Sequence, residues 1–405
     1  MSKFGRITRH KWVGRFFRLL ALGTVVFAIY FVVERYWARK NGENQLSGVI
    51  ARLDAEEPGW RFEDIEAERG LGPEPESSGP LSARLAIQFK GADHEYFRLA
   101  RHAIGIHEPI NQQHSDNVAK FIEVFLQRHE TAHSLAMQFV RGPEPIRRTK
   151  LPSDVVSLLL PDCSAIENAN VLLGLDAERL SHLGNPNSAL ERIRLMIFAE
   201  QSIGSEPHRL AQDYRMACAT RAAWETERVL ALGTPTAGLG ELQAMLVAEG
   251  DVSFALTALC GDRAFLHEMY GAIDSGTLDY IKLFAEMIER KKLRHTSHDP
   301  RLLPSSDAVL WLHKKHLPRN HAEMLSWLTE ACAACRRPEI EQPAALADLR
   351  GKEPAWCRET LFCRLSTQPP DKLLEGQLRA RSTLRCAAVG LAVERFRQQF
   401  QRWPR

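Results

Sequence analysis

Residues 165–203 read AIENANVLLGLDAERLSHLGNPNSALERIRLMIFAEQSI. Apolar side chains recur at helical spacing on both sides of Gly184-Asn185-Pro186. Glycine suits the residue that ends a helix, and proline the first position of the next. The stretch therefore predicts two helices, 165–182 and 187–203, folded back on each other.

Working outward, the same periodicity recurs and strand-like alternation does not. Helices are expected over 206–232, 238–249, 252–272, 307–316, 321–336, 356–366 and 371–402. Upstream, Val118, Phe121, Ile122 and Phe125 open one amphipathic helix that Gly142-Pro143 closes. The expected fold class is all-α. The 165–203 hairpin resembles one tetratricopeptide-type unit. A solenoid needs at least three stacked copies, so an ordinary antiparallel helix pair is the simpler alternative.

The chain has 405 residues, with 53 Lys+Arg against 50 Asp+Glu. Residues 1–40 hold nine of those bases and one acid, a local charge of +8, which leaves the remainder at −5. A mildly acidic body lacks the basic stripe that phosphate neutralisation needs, so no nucleic-acid partner is expected. Leu19 to Val33 is an uncharged apolar run, and residues 16–37 are long enough to cross a bilayer and meet membrane lipid. A buried core helix is the alternative, but such a helix usually keeps a polar face. Tyr36 and Trp37 suit the interface. Six bases precede the run and three follow it, which places the N-terminus in the cytoplasm and the body outside. Val33 is followed by Glu-Arg-Tyr-Trp, not by a small-residue cleavage site, so an uncleaved signal anchor is expected.

This divides the chain into a basic N-terminus with its anchor (1–40), a juxtamembrane part (41–80) and a helical body (81–405). The juxtamembrane part holds a helix around Leu46, Val49, Ile50 and Leu53, ended by Pro58-Gly59, and a Pro/Gly/Ser/Glu linker at 71–80. Between them, Glu63, Asp64 and Glu66 would lie in the first turns of a helix, as solvated acids near its positive end, with a metal site built from them as the alternative. Trp60 and Ile65 would dock that helix on the body.

Residues 58–66, Pro-Gly-Trp-Arg-Phe-Glu-Asp-Ile-Glu, resemble a signature found just after the membrane helix of an uncharacterised family of bacterial single-pass, membrane-anchored helical proteins. Further segments resemble the same family in order. They are the turn at 184–190, Glu206-Pro207, Leu242-Gln243, Gly261-Asp262-Arg263-Ala264, and the closing segments 392–397 and Arg402-Trp403-Pro404. The resemblance implies a membrane-anchored, mostly helical protein and brings no activity with it. In relatives the Trp-Pro pair leads into a further short domain, somewhat like a pseudopilin tail. Here Arg405 follows directly, so a chain shortened at its C-terminus is expected.

His129-Glu130-Thr131-Ala132-His133 is an H-E-x-x-H sequence. On a continuous helix, positions i and i+4 share a face and can ligate one Zn²⁺, with Glu130 taking a proton from metal-bound water. The extended form with a third histidine is excluded by Ala136 and Phe139; Glu167 or Glu178 is a candidate third ligand. The alternative is that both histidines border the apolar face of a packed helix while Glu130 faces solvent.

Of eight cysteines, Cys332-Ala-Ala-Cys335 invites three readings: a redox pair, a disulfide, or half a zinc site with Cys357 and Cys363. Free buried thiols are the simplest state. His313, His316 and His321, and separately His295 and His298, read as solvated groups. The leading expectation is a membrane-anchored helical scaffold or protein-interaction protein without catalysis or cofactor. The alternative is a membrane-bound zinc metallopeptidase using His129, Glu130 and His133.

Overall fold

The computed structural model describes residues 4–69, 81–89, 110–143, 160–278, 315–354 and 370–404, with side chains from Leu19 onward. Helices 307–316 and 356–366, the linker at 71–80, Cys357, Cys363, His295, His298 and His313 lie wholly or mainly outside the described residues. Among those described there are thirteen α-helices, one 3₁₀ turn and no strand. The protein is all-α, as its periodicity predicts.

The described residues form two compact units. The first holds all of α1 (Phe4–Glu56) with residues 267–278 and 315–326. The helix expected around Leu46–Leu53 is the last part of α1, continuous with the apolar run. Leu19, Leu22, Phe27 and Tyr30 are more than 60% exposed, and none of the most apolar stretch of α1 is buried. The Thr24 hydroxyl is satisfied within the helix: Oγ1 donates to the Leu20 carbonyl at 2.9 Å. Glu34 ends the uncharged run and pairs with Lys315 at 2.9 Å, and Arg39 pairs with Asp274 at 3.0 Å. His321 is buried, not solvated as expected. Its ring stacks on Tyr270 at 4.9 Å, and Nε2 meets His267 Nδ1 at 3.1 Å. Burial and His267 push His321 down to about 3.

The second unit spans residues 59–266 and 327–405. It contains α2 (Phe62–Glu68), α3 (Leu81–Gln88), α4 (Asp116–Arg128), α5 (Glu130–Ala136), α6 (Pro161–His182), α7 (Pro186–Gln201), α8 (Arg209–Leu232) and α9 (Leu239–Gly250). It also contains α12 (Gln342–Arg350), α13 (Pro370–Phe400) and parts of α10 (Phe254–Ser275) and α11 (Leu317–Cys335). The α6–α7 turn forms as its residues dictate. Gly184 takes φ +74°, its amide bonds Ser181 O at 3.0 Å, and the Asn185 amide reaches Leu180 O at 2.9 Å. That is a Schellman closure, and Pro186 then starts α7. Asn187 Oδ1 accepts from the amides of Thr236 and Ala237, which fixes the loop after α8 against the hairpin.

Helices α6, α7 and α8 pack on one another, and α13 packs along α8 and α9. Leu172, Ile193, Met196, Ala219, Ala222 and Leu391 share one core. Alanines along α8 let neighbours approach closely, so α8 is buried around much of its circumference. That burial encloses charged residues as well, and each requires a partner.

Candidate functional site

The helix expected to carry H-E-x-x-H is interrupted at its first histidine. His129 has φ −107° and ψ +26°, and its amide is shared between the carbonyls of Phe125 and Leu126 at 3.2 Å. Such sharing tightens the last turn of α4 before α5 begins. The buried His129 ring lies 4.7 Å from that of Phe125, while Glu130 is exposed. His133 Nε2 lies 3.4 Å from Asp176 Oδ2. The two candidate third ligands, Glu167 and Glu178, both lie on α6. Glu178 bonds His114 at 2.7 Å, and Glu167 is buried on α6. Among the described residues no group of three or more His, Cys, Asp or Glu side chains is placed to share a metal ion.

Asp176 is itself an ion-pair centre. Arg192 reaches Oδ2 at 2.7 Å and Arg179 reaches Oδ1 at 2.8 Å. Burial alone would raise its pKa; His133, Arg192 and Arg179 together hold it well below the usual carboxylate range.

A second cluster runs along α6 and α8. Arg228 Nη2 approaches His114 Nδ1 at 3.0 Å, and arginine has only donors, so Nδ1 accepts and Nε2 donates to Glu178. Glu178 also hydrogen-bonds Glu225, and a bond between two carboxyl groups needs a proton on one of them. Burial and Glu178 raise Glu225 against the opposing pull of Arg221 and Arg228. Further along α8, Arg215 makes a two-pronged pair with Glu249 at 2.7 and 3.0 Å and donates to the Gly204 carbonyl. These groups spend their polarity inside the fold.

Three segments far apart in the sequence, around Trp60, Glu206 and Asp262, meet in space. Arg69 bridges Glu66 and Glu206, each at 2.7 Å, so Glu66 is buried in an ion pair, unlike the exposed Glu63 and Asp64. The Arg61 and Arg263 guanidinium groups lie 5.1 and 5.8 Å from the Trp60 ring centre. Pro207 packs directly on Gly261. Trp60 is 2% exposed and docks as expected, whereas Ile65 is only half-buried and Phe62 takes the inner position beside Glu66.

An open groove of about 1110 Å³ runs between α8, α12 and α13. Met216, Leu346 and Leu374 form its buried floor, and Trp224 stands 52% exposed in its wall. Its rim carries both charge signs: Arg350 pairs with Asp371, and Arg379 with Glu375. Sequence reasoning misses this groove. The one usable signal is a tryptophan on the otherwise alanine-rich α8. No family model, curated protein or solved structure matches this chain.

Proposed function

We propose that this protein is a single-pass, membrane-anchored helical scaffold. The basic N-terminus lies in the cytoplasm, the span at 16–37 sits in lipid, and the body beyond it holds a protein segment in the α8–α12–α13 groove. The observation that carries the reading is the exposure of the apolar run of α1. Side chains such as Leu19, Phe27 and Tyr30 need a covering that a lipid bilayer supplies. The groove adds an apolar floor and an accessible tryptophan, the side chain most enriched at binding hot spots. The zinc-hydrolase reading has less support, because His129 lies against Phe125 and His133 against an aspartate already paired with two arginines.

Cys386 is exposed on α13 and serves as a native reporter of orientation. Full-length protein is expected to pellet with membranes, to resist alkaline extraction and to leave only in detergent. A membrane-impermeant maleimide applied to spheroplasts is expected to label Cys386, as mapped by peptide mass. Protein released without detergent would overturn the anchor. Cys386 labelled only after lysis would overturn the orientation.

A further inference from the structure

Sequence spacing pairs Cys332 with Cys335, but the structure pairs Cys332 with a sulfur from another helix. Cys260 on α10 places its Sγ 3.7 Å from Cys332 Sγ on α11. The two lie 72 residues apart in the chain. Cys332 is fully buried, whereas Cys260 is partly exposed, so only one sulfur of the pair is open to an incoming reagent. Arg263 and Arg336 bring positive charge to the buried sulfur. Cys335 lies one turn further along α11, and burial pushes its thiol up to about 12.

We propose that Cys260 and Cys332 form a redox-active pair that closes into a disulfide by exchange with a small-molecule disulfide such as oxidised glutathione. The Cys260 thiolate attacks one sulfur of the reagent. A Cys260–glutathione mixed disulfide forms, the reagent's S–S bond breaks, and one glutathione thiolate leaves. Cys332 then loses its proton and attacks Cys260 Sγ, forming the intramolecular bond and releasing the second glutathione. The two protein thiols give up two electrons, the reagent's disulfide takes them, and the two protons end on the two released thiols.

At rest, the hydrogen bond with Cys260 and burial both keep Cys332 protonated. Once Cys260 carries the adduct that hydrogen bond is gone, and the fields of Arg263 and Arg336 act against the burial that still opposes the Cys332 thiolate. The sulfurs must then approach from 3.7 Å to about 2.05 Å, a movement within reach of side-chain rotation and a small helix shift.

The test uses full-length protein in detergent micelles, reduced and then exposed to oxidised glutathione. Remaining thiols are blocked and the product is mapped by peptide mass. A peptide joining Cys260 to Cys332, lighter by two hydrogens and split by dithiothreitol, is expected. Closing so long a loop is expected to raise Tm by at least about 5 °C. Cys335→Ser keeps the link, and Cys332→Ser traps glutathione on Cys260. A glutathione adduct that persists on Cys260 in the wild type overturns the proposal, as does a Cys332–Cys335 link or two thiols that stay free. The wild-type map decides the matter even where a serine variant fails to fold.

Discussion

Gly261 lies so close to Pro207 that a Cβ atom at position 261 would overlap the Pro207 carbonyl oxygen. The contact is with backbone, so no side-chain rotation relieves it. Gly261→Ala therefore forces α10 away from the turn that precedes α8. That separation disturbs the flanking Arg209–Asp262 and Arg263–Trp60 contacts. A loss of more than about 3 kcal/mol in unfolding free energy is expected by denaturant titration in micelles. A Cβ atom at Gly271 in the same helix would meet nothing within 4 Å, so Gly271→Ala is the control. It should gain about 0.5–1 kcal/mol through helix propensity. Equal effects at both positions would refute the close-packing account.

Asp262 predicts a loss of stability as pH rises from about 4 to about 7. Burial pushes its pKa up to about 7; Asp213 adds to the rise, and Arg209 at 3.6 Å opposes it without cancelling it. A raised carboxyl contributes most below its unfolded value, near 3.8. The contribution is lost as pH rises toward the folded value. Asp262→Asn keeps the neutral shape, so it should match the wild type near pH 4. Above pH 7 it should exceed the wild type by up to about 4 kcal/mol, an upper bound because the side chain keeps 12% exposure. Thermal melts across that range check it. A variant weaker than wild type at pH 8 would show that the Arg209 contact dominates.

Trp224 separates binding from folding. It is 52% exposed, so Trp224→Ala should change stability by less than about 1 kcal/mol. A photo-crosslinking residue at Thr220 or Thr383, both lining the groove, should give a higher-mass adduct in membranes. The same adduct should vanish in the Trp224→Ala background. Adducts unaffected by that change would move the proposed interaction away from this groove.

What is legible in the sequence follows local signals. Gly184 and Pro186 carry their own backbone requirements, so the α6–α7 turn is readable from three residues. The helical content follows from periodicity. Helix α8 shows why more is not. Arg215, Glu225 and Arg228 resemble surface charges on an alanine-rich helix, yet each is buried. Their partners Glu249, Glu178 and His114 come from distant parts of the chain, which periodicity cannot register. The interruption at His129 is hidden because the apolar spacing runs straight through it. Cys332 looks like half of a C-x-x-C pair because its nearer neighbour in space is 72 residues away.

Asp176 tests the candidate metal region from the opposite pH limb. Its carboxylate faces Arg192 and Arg179, with His133 as a longer third contact at 3.4 Å. A depressed carboxyl contributes stability that is present above the unfolded value near 3.8 and is lost as pH falls through the folded value. Asp176→Asn should therefore cost about 1–3 kcal/mol at pH 7, because it removes charge-assisted bonds to two partly exposed arginines. The difference from wild type should shrink steadily below pH 4. His133→Ala should cost less, since its contact is longer and both arginine pairs stay in place. If His133 instead held a metal ion, its loss would match that of Asp176→Asn, and chelator would abolish the difference between His133→Ala and wild type. Melts of both variants with and without chelator distinguish an ion-pair centre from a metal centre.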